Sequence, residues 1–192
     1  MADRLFLIVA ALLVAGVAAP QNANAACAPA RGAAQPSAAE MHEADALYLP
    51  TPHHVVAAML RLAGVSRTDV VYDLGSGDGR IPIAAARGYG ARGVGIELDG
   101  RMIERARCNA REAGIEPLVE FRQEDLFLAD LREATVVTLF LFPELNRRLR
   151  QKLVSELRPG TRIVSHRFGL GDWPPERTIE AGGHPLLLWT VP

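Results

Sequence analysis

The chain is 192 residues long and 49% hydrophobic, with a formal net charge of -1 and two cysteines. That length fits one globular domain with a short extra segment, and the near-neutral balance excludes a general electrostatic attraction to nucleic acid. Neither Cys27 nor Cys108 has the His or Cys company that a metal centre needs, so no metal is expected.

The chain begins with a leader. Leu5 to Ala19 form an unbroken apolar run behind Arg4, and Ala23-Asn24-Ala25 follows with small residues around one polar position. This layout predicts a signal peptide over residues 1–25, cleaved after Ala25. An uncleaved N-terminal anchor is the rival, though the run is shorter than the roughly 20 residues a span needs. Either version exports the rest, to the periplasm or to an inner-membrane-anchored state, whereas a start at Met41 leaves the protein cytoplasmic. Residues 26–40, mostly Ala, Pro, Gln, Gly and Ser, read as a flexible linker, and residues 41–192 as the domain. Cys27 falls at the start of the mature chain, one residue after Ala26, without a good lipoprotein box, and the two cysteines can pair through the linker or stay ordinary thiols.

Thr51-Pro52 reads as a helix start, a hydroxyl N-cap followed by proline at the first helical position. Val55, Val56, Met59, Leu60 and Ala63 make its apolar face, and Gly64 ends it. His53 and His54 are adjacent, so they point to different sides of this helix rather than at one metal. Val70 to Leu74 is an apolar strand running into a glycine-rich turn, with a helix from Arg80 to Arg87. Val94 to Glu97 is the second strand. Asp99 to Gly114 is a helix whose stripe of Met102, Ile103, Ala106, Ala110 and Ala113 leaves Cys108 on the exposed side. Val119 to Arg122 is the third strand, followed by Glu124-Asp125-Leu126, and Val136 to Leu141 the fourth, nearly all apolar as a strand covered on both faces should be. Glu144 to Leu157 is a helix with leucines at four-residue spacing and a basic side of Arg147, Arg148, Arg150 and Lys152, either a solvated face or a partner surface. Thr161 to Ser165 is the fifth strand. Arg177 to Glu180, a turn over Gly182 to Pro185, and Leu186 to Val191 form a hairpin. Alternating strands and helices predict an α/β fold, a doubly wound, mostly parallel sheet with a C-terminal antiparallel hairpin.

The corner Asp73-x-Gly75-x-Gly77-x-Gly79 is suited to a nucleotide-like cofactor. Its glycines permit positive φ and let a ligand lie against bare backbone, with helix N–H groups pointing at it. A dinucleotide fingerprint needs glycine where Arg80 stands, and Asp73 and Asp78 repel a diphosphate while attracting an ammonium group. Glu97, 18 positions beyond Gly79, can accept both hydroxyls of a ribose, or serve as an ordinary strand-end cap.

This corner resembles motif I of class I S-adenosylmethionine (SAM) methyltransferases, where the turn wraps the methionine part of the cofactor. The resemblance implies a Rossmann-like seven-stranded fold and a cofactor set of Asp73, Gly75, Ser76, Gly77, Asp78, Gly79, Glu97, Leu98, Asp125 and Leu126, with Asp125 taking the adenine amino group and Leu126 the ring. Tyr48-Leu49-Pro50-Thr51, Met59-Leu60, the run Asp73 to Ile81, Glu97-Leu98, Asp125-Leu126, Phe142-Pro143 and Arg167-Phe168 narrow it to one family. The chain looks like the protein-lysine methyltransferases whose mitochondrial members modify the adenine nucleotide translocase and the ATP synthase c subunit. Asp99 stands where many members carry Asn, and Phe142-Pro143-Glu144 lacks the Asn/Asp-Pro-Pro-Tyr/Phe motif used on amide or adenine nitrogen. The implied partner is a protein, integral membrane proteins included, with no nucleic acid and a monomeric enzyme; a small-molecule methyltransferase and a non-catalytic SAM-binding protein are the alternatives. Tyr48, Phe142 and Trp173 are candidates for an apolar channel that deprotonates the acceptor lysine, or are plain core and rim aromatics.

Overall fold

The structure, a computed structural model, describes residues 49–192. The leader, the linker, Cys27, Met41 and Tyr48 lie outside the described residues. Among the described residues no helix is long and apolar enough to cross a membrane.

Seven strands form one sheet. In chain order the elements are α1 (His53–Leu62), β1 (Val70–Leu74), α2 (Arg80–Tyr89), β2 (Arg92–Glu97), α3 (Gly100–Glu112), β3 (Val119–Gln123), β4 (Val136–Leu139), α4 (Pro143–Glu156), β5 (Arg162–His166), β6 (Arg177–Ala181) and β7 (His184–Thr190). The strand order is β3-β2-β1-β4-β5-β7-β6; the first five run parallel and β7 pairs antiparallel with both β5 and β6. The predicted doubly wound sheet with a final antiparallel hairpin is therefore the observed fold.

Each face of the sheet has its own core. Val71, Val136, Val164 and Leu186 pack under Val55, Met59 and Leu60 of α1 and Ile81 and Ala85 of α2, while Ile103, Ala106 and Ala110 of α3 close over Phe121. The opposite face packs Tyr72, Leu74, Val137, Leu139 and Ile163 against Leu149 and Leu153 of α4. Alternate residues of one strand thus feed two cores, which is why β1 and β4 read as continuous apolar runs.

Several local readings change. The Thr51 hydroxyl does not cap α1; Pro52 is the N-cap residue and makes no side-chain cap bond. Thr51 is instead buried, its Oγ1 3.4 Å from His166 Nδ1. β4 stops at Leu139, because its partner β1 turns away into the glycines after Leu74. The hairpin turn is only Gly182-Gly183, both at positive φ as a two-residue I′ turn requires, so His184 and Pro185 belong to β7. Cys108 is 7% exposed rather than on an open face. It is not a free thiol, which overturns the free-thiol reading for this residue. Helical period placed it away from the α3 core correctly, but period alone says nothing of cover supplied from elsewhere.

The amino ends of three strands are locked by one carboxylate. Asp69, just before β1, accepts hydrogen bonds from Ser66 N (2.7 Å), Ser66 Oγ (2.9 Å) and Thr135 Oγ1 (2.7 Å), and pairs with Arg162 of β5. Arg162 also donates to the Ala63 carbonyl at the end of α1 (2.7 Å). Burial alone raises the Asp69 pKa, but the hydrogen bonds from Thr135 and Ser66 and the Arg162 charge outweigh it and hold the carboxyl below its ordinary value. Asp69→Ala leaves these donors without their acceptor, and it should lower unfolding free energy by about 1–3 kcal/mol in a denaturant titration at pH 7. Since the folded pKa is depressed, that contribution is present above about pH 4 and lost as the pH falls through the folded value. The gap between variant and wild type should narrow on acidification.

Candidate functional site

The helices after β1 and β2 lie on one face of the sheet and α4, after β4, lies on the other. The chain therefore changes face between β1 and β4, and a crevice opens beyond their carboxyl ends. The glycine-rich turn fills one side of it. Gly75, Gly77 and Gly79 have φ of 81°, 50° and 76°, the left-handed region that only glycine enters without strain. At Gly75, which is exposed, a Cβ would also sit 2.9 Å from Leu141 Cδ2; at Gly79 it would sit 2.6 Å from the Phe121 ring. Gly75 N and Ser76 N both donate to the Ile96 carbonyl, at 2.9 and 3.0 Å, so β2 fixes the height of the turn.

Three carboxylates surround this bare backbone. Asp73, at 4% exposure, accepts from Thr138 Oγ1 at 2.7 Å. Burial pushes its pKa up to about 7, helped by the charges of Glu97 and Asp78 and opposed by the Thr138 hydrogen bond and the Arg80 charge. Asp78 holds Arg80 through two bonds, Nε at 2.8 Å and Nη2 at 2.6 Å, and Arg80 Nη1 donates to the Thr51 carbonyl at 2.9 Å. The turn is thereby tied to the segment that opens the domain. Glu97 accepts from Gly77 N (2.9 Å) on one oxygen and from Leu98 N (2.8 Å) and Asp99 N (3.0 Å) on the other. A carboxylate has about four acceptor positions, so these three bonds orient Glu97 and leave room for a further hydroxyl.

The remaining candidates divide. Leu98 is 70% exposed beside Glu97. Asp125 Oδ1 accepts from Phe127 N at 2.8 Å, which shapes the turn after β3, and Asp125 and Leu126 are half-buried there. Ser76 Oγ is buried over Gly95 and has no hydrogen-bond partner. Phe142 is 52% exposed at the start of α4, whereas Trp173 packs in the α4-side core, its carbonyl accepting from Trp189 Nε1 at 3.0 Å. Among the described residues no group of three His, Cys, Asp or Glu side chains is arranged to hold a metal ion.

Sequence reading missed Thr138 and Leu141. Both lay inside what read as one apolar strand, and the one signal was a lone hydroxyl residue in that run, at the register position opposite Asp73. The assembled site is an acid-lined, backbone-walled turn that attracts a ligand ammonium and repels phosphate, with a further acid placed for a diol.

Comparison with known proteins agrees with this geometry. A family model described as the ANTKMT methyltransferase domain matches residues 73–177. A "Protein-lysine N-methyltransferase" of Saccharolobus islandicus is 44% identical over 149 residues, covering 75% of this chain and 92% of that protein. The mouse "Adenine nucleotide translocase lysine N-methyltransferase" is 38% identical over 125 residues, covering 65% of this chain and 55% of that protein, so the chain spans little more than half of the mouse enzyme. Among solved structures, an "RNA methyltransferase from Salinibacter ruber in complex with S-Adenosyl-L-homocysteine" superposes with a TM-score of 0.74 at 58% identity, covering 75% of this chain and 94% of that one. The match between the family model and the β1–β6 region that builds the crevice, together with the extent of the archaeal likeness, shows that the chain belongs to the ANTKMT methyltransferase family.

Proposed function

We propose that the protein is a SAM-dependent protein-lysine N-methyltransferase. The observation that carries this reading is the turn itself, a shut-in carboxylate two residues from the exposed Gly75, in a chain 44% identical to a protein-lysine N-methyltransferase of Saccharolobus islandicus. The residues present fit the cofactor: Asp73 and Asp78 suit its ammonium group, Gly75 to Gly79 its methionine backbone, Glu97 and Leu98 its ribose, Asp125 and Leu126 its adenine. When bound, SAM supplies a methyl group on a sulfonium, open to in-line attack by an amine. The chain's part is to orient the donor, admit the acceptor from one side and strip water from it, and for such a reaction positioning supplies most of the acceleration. A lysine must arrive as the neutral amine, and an apolar approach favours that form.

The name of the Salinibacter protein raises RNA as a second acceptor class. Surface charge favours protein. The chain carries a net charge of -1, and three of the four α4 cations are answered by acids, Arg147 by Glu144, Arg150 by Asp172 and Lys152 by Glu156, while Arg148 lies over the Phe127 ring. The apolar leader supports an exported enzyme acting outside the inner membrane, on membrane proteins among others. N-terminal sequencing after fractionation should give a mature chain beginning after Ala25; a cytosolic protein beginning at Met1 or near Met41 refutes export.

Tritiated SAM incubated with the purified enzyme, a hypomethylated protein extract, total RNA and small metabolites should put label in protein and on lysine after hydrolysis. Label confined to RNA or to small solutes contradicts the reading, and binding without transfer to any fraction makes the protein a non-catalytic SAM binder. The enzyme should not label itself, since its one lysine, Lys152, is 11% exposed and pairs with Glu156 at 2.7 Å.

Calorimetry with S-adenosylhomocysteine tests the cradle. Glu97→Ala should cost about 1.5–3 kcal/mol, roughly tenfold to a hundredfold in Kd, as expected for charge-assisted hydrogen bonds. Because Asp73 must ionise to meet the ammonium group and its pKa is pushed up to about 7, affinity should rise with pH. A Kd about tenfold weaker at pH 6 than at pH 8 is expected, and Asp73→Asn should abolish this dependence.

A further inference from the structure

The turn that follows β5 is strained and tightly held. Arg167 has φ of 71°, the only non-glycine residue at positive φ among the described residues. Its amide donates to the Pro185 carbonyl at 2.8 Å, and Phe168 N to the His166 carbonyl at 3.0 Å. The Phe168 carbonyl accepts from Ser165 Oγ at 2.6 Å and from Asn146 Nδ2 at 3.1 Å. Asn146 is fully buried and its Oδ1 has no partner, so α4 gives up a hydrogen bond to hold this turn. Strain kept in place by so many bonds is a mark of a functional segment.

The turn sits beside the glycine crevice. Phe140 lies one position beyond the paired Leu74 and Leu139, and its neighbour Leu141 packs on Gly75. The Phe140 ring lies 4.0 Å from the His166 ring and runs nearly parallel to Phe168, 13° apart with centroids at 6.5 Å. His166 is bracketed by Thr51 Oγ1 and by His184 Nδ1, the latter at 2.9 Å. Burial, with the nearby His184 and Arg167 charges, lowers its pKa to about 4, so its ring is uncharged near neutrality and does not repel a cation. Beyond Phe168, a groove of about 290 Å³ runs between Gly169 and Gly171 on one side and Pro143, Glu144 and Arg147 on the other.

We propose that Arg167 and Phe168, with Phe140, form the acceptor dock: Phe140 and Phe168 take the methylene stem of the target lysine, Arg167 at the rim binds carboxylates or carbonyls of the flanking peptide, and the groove beyond Phe168 takes the chain. Aromatic faces suit this task because they accept an alkyl stem and tolerate an approaching ammonium group. The dock explains the strain, since a left-handed residue turns the Arg167 side chain out while its neighbours stay bonded inward. The inference rests on the lysine-methyltransferase reading above and adds which residues choose the acceptor.

The test uses two synthetic dodecapeptides, each with one central lysine, flanked by two aspartates or by two arginines, and follows methyl transfer from SAM alongside S-adenosylhomocysteine affinity and melting temperature. The aspartate peptide should be preferred. Arg167→Ala and Phe168→Ala should raise its KM about tenfold while cofactor affinity stays within twofold. Arg167→Gly should melt higher than wild type, because glycine accepts this φ, yet show the same rise in KM, which separates docking from folding. Wild-type KM in Arg167→Ala and Arg167→Gly overturns the dock and leaves the methyltransferase reading standing. Failure of the wild type to methylate either peptide or any protein, with cofactor binding intact, overturns both.

Discussion

A carboxylate at the end of β1 sets the terms for this molecule. Asp73 is buried with Thr138 as its hydrogen-bond partner, close enough to Glu97 and Asp78 for their charges to oppose its own. Its pKa lies near 7, so the neutral form dominates below that value, and the domain loses stability as rising pH forces the buried group to ionise. A ligand that brings an ammonium group relieves this cost, and binding energy is then drawn from a stress the fold already contains. The surrounding pieces follow from that need. Glycines bare the backbone, Arg80 ties Asp78 to Thr51, and amides of the turn and of the β2 end hold Glu97 in orientation.

The two ends of the sheet divide the work. At the amino ends, Asp69, Thr135, Ser66 and Arg162 satisfy one another and hold β1, β4, β5 and α1 together. At the carboxyl ends the bonding is deliberately incomplete: Ser76 Oγ and Asn146 Oδ1 are buried without partners, and Arg167 is kept left-handed. Stability is concentrated at the amino ends, and strain at the carboxyl ends, where we propose that the ligand binds. No lid crosses the crevice among the described residues, since the loops after β3 and β5 carry no helix and α4 alone, with the loop residues of its core, covers that face.

Much of this could be read from residue patterns. Apolar runs of strand length, interrupted by helices with one apolar stripe, give the doubly wound order, and Asp73-x-Gly75-x-Gly77-x-Gly79 marks the corner because only glycine takes those three φ values. What escaped depends on pairing between distant segments. Thr51 looked like a cap because hydroxyl then proline is a cap pattern, yet its hydroxyl finds His166, 115 residues away. Thr138 looked like one more strand residue until the register set it opposite Asp73. Trp173 read as either a channel or a core aromatic, and the fold sets it against Trp189, while Phe140 gave no signal at all, being one aromatic in an apolar run. Local pattern carries element type and the proposed cofactor corner; the proposed acceptor side is made by neighbours brought together only in the fold.

The state of Asp73 is the centre of this account, and carboxyl-carbon NMR of the labelled protein reads it directly. In the free enzyme the Asp73 signal should titrate near pH 7, identified by its loss in Asp73→Asn. With S-adenosylhomocysteine bound it should stay at the ionised position down to about pH 5, because the ligand ammonium group now faces it. An Asp73 signal that titrates near pH 4 in the free enzyme, or that does not move when the ligand saturates the protein, contradicts the claim that this buried carboxylate is the anchor of the cofactor site.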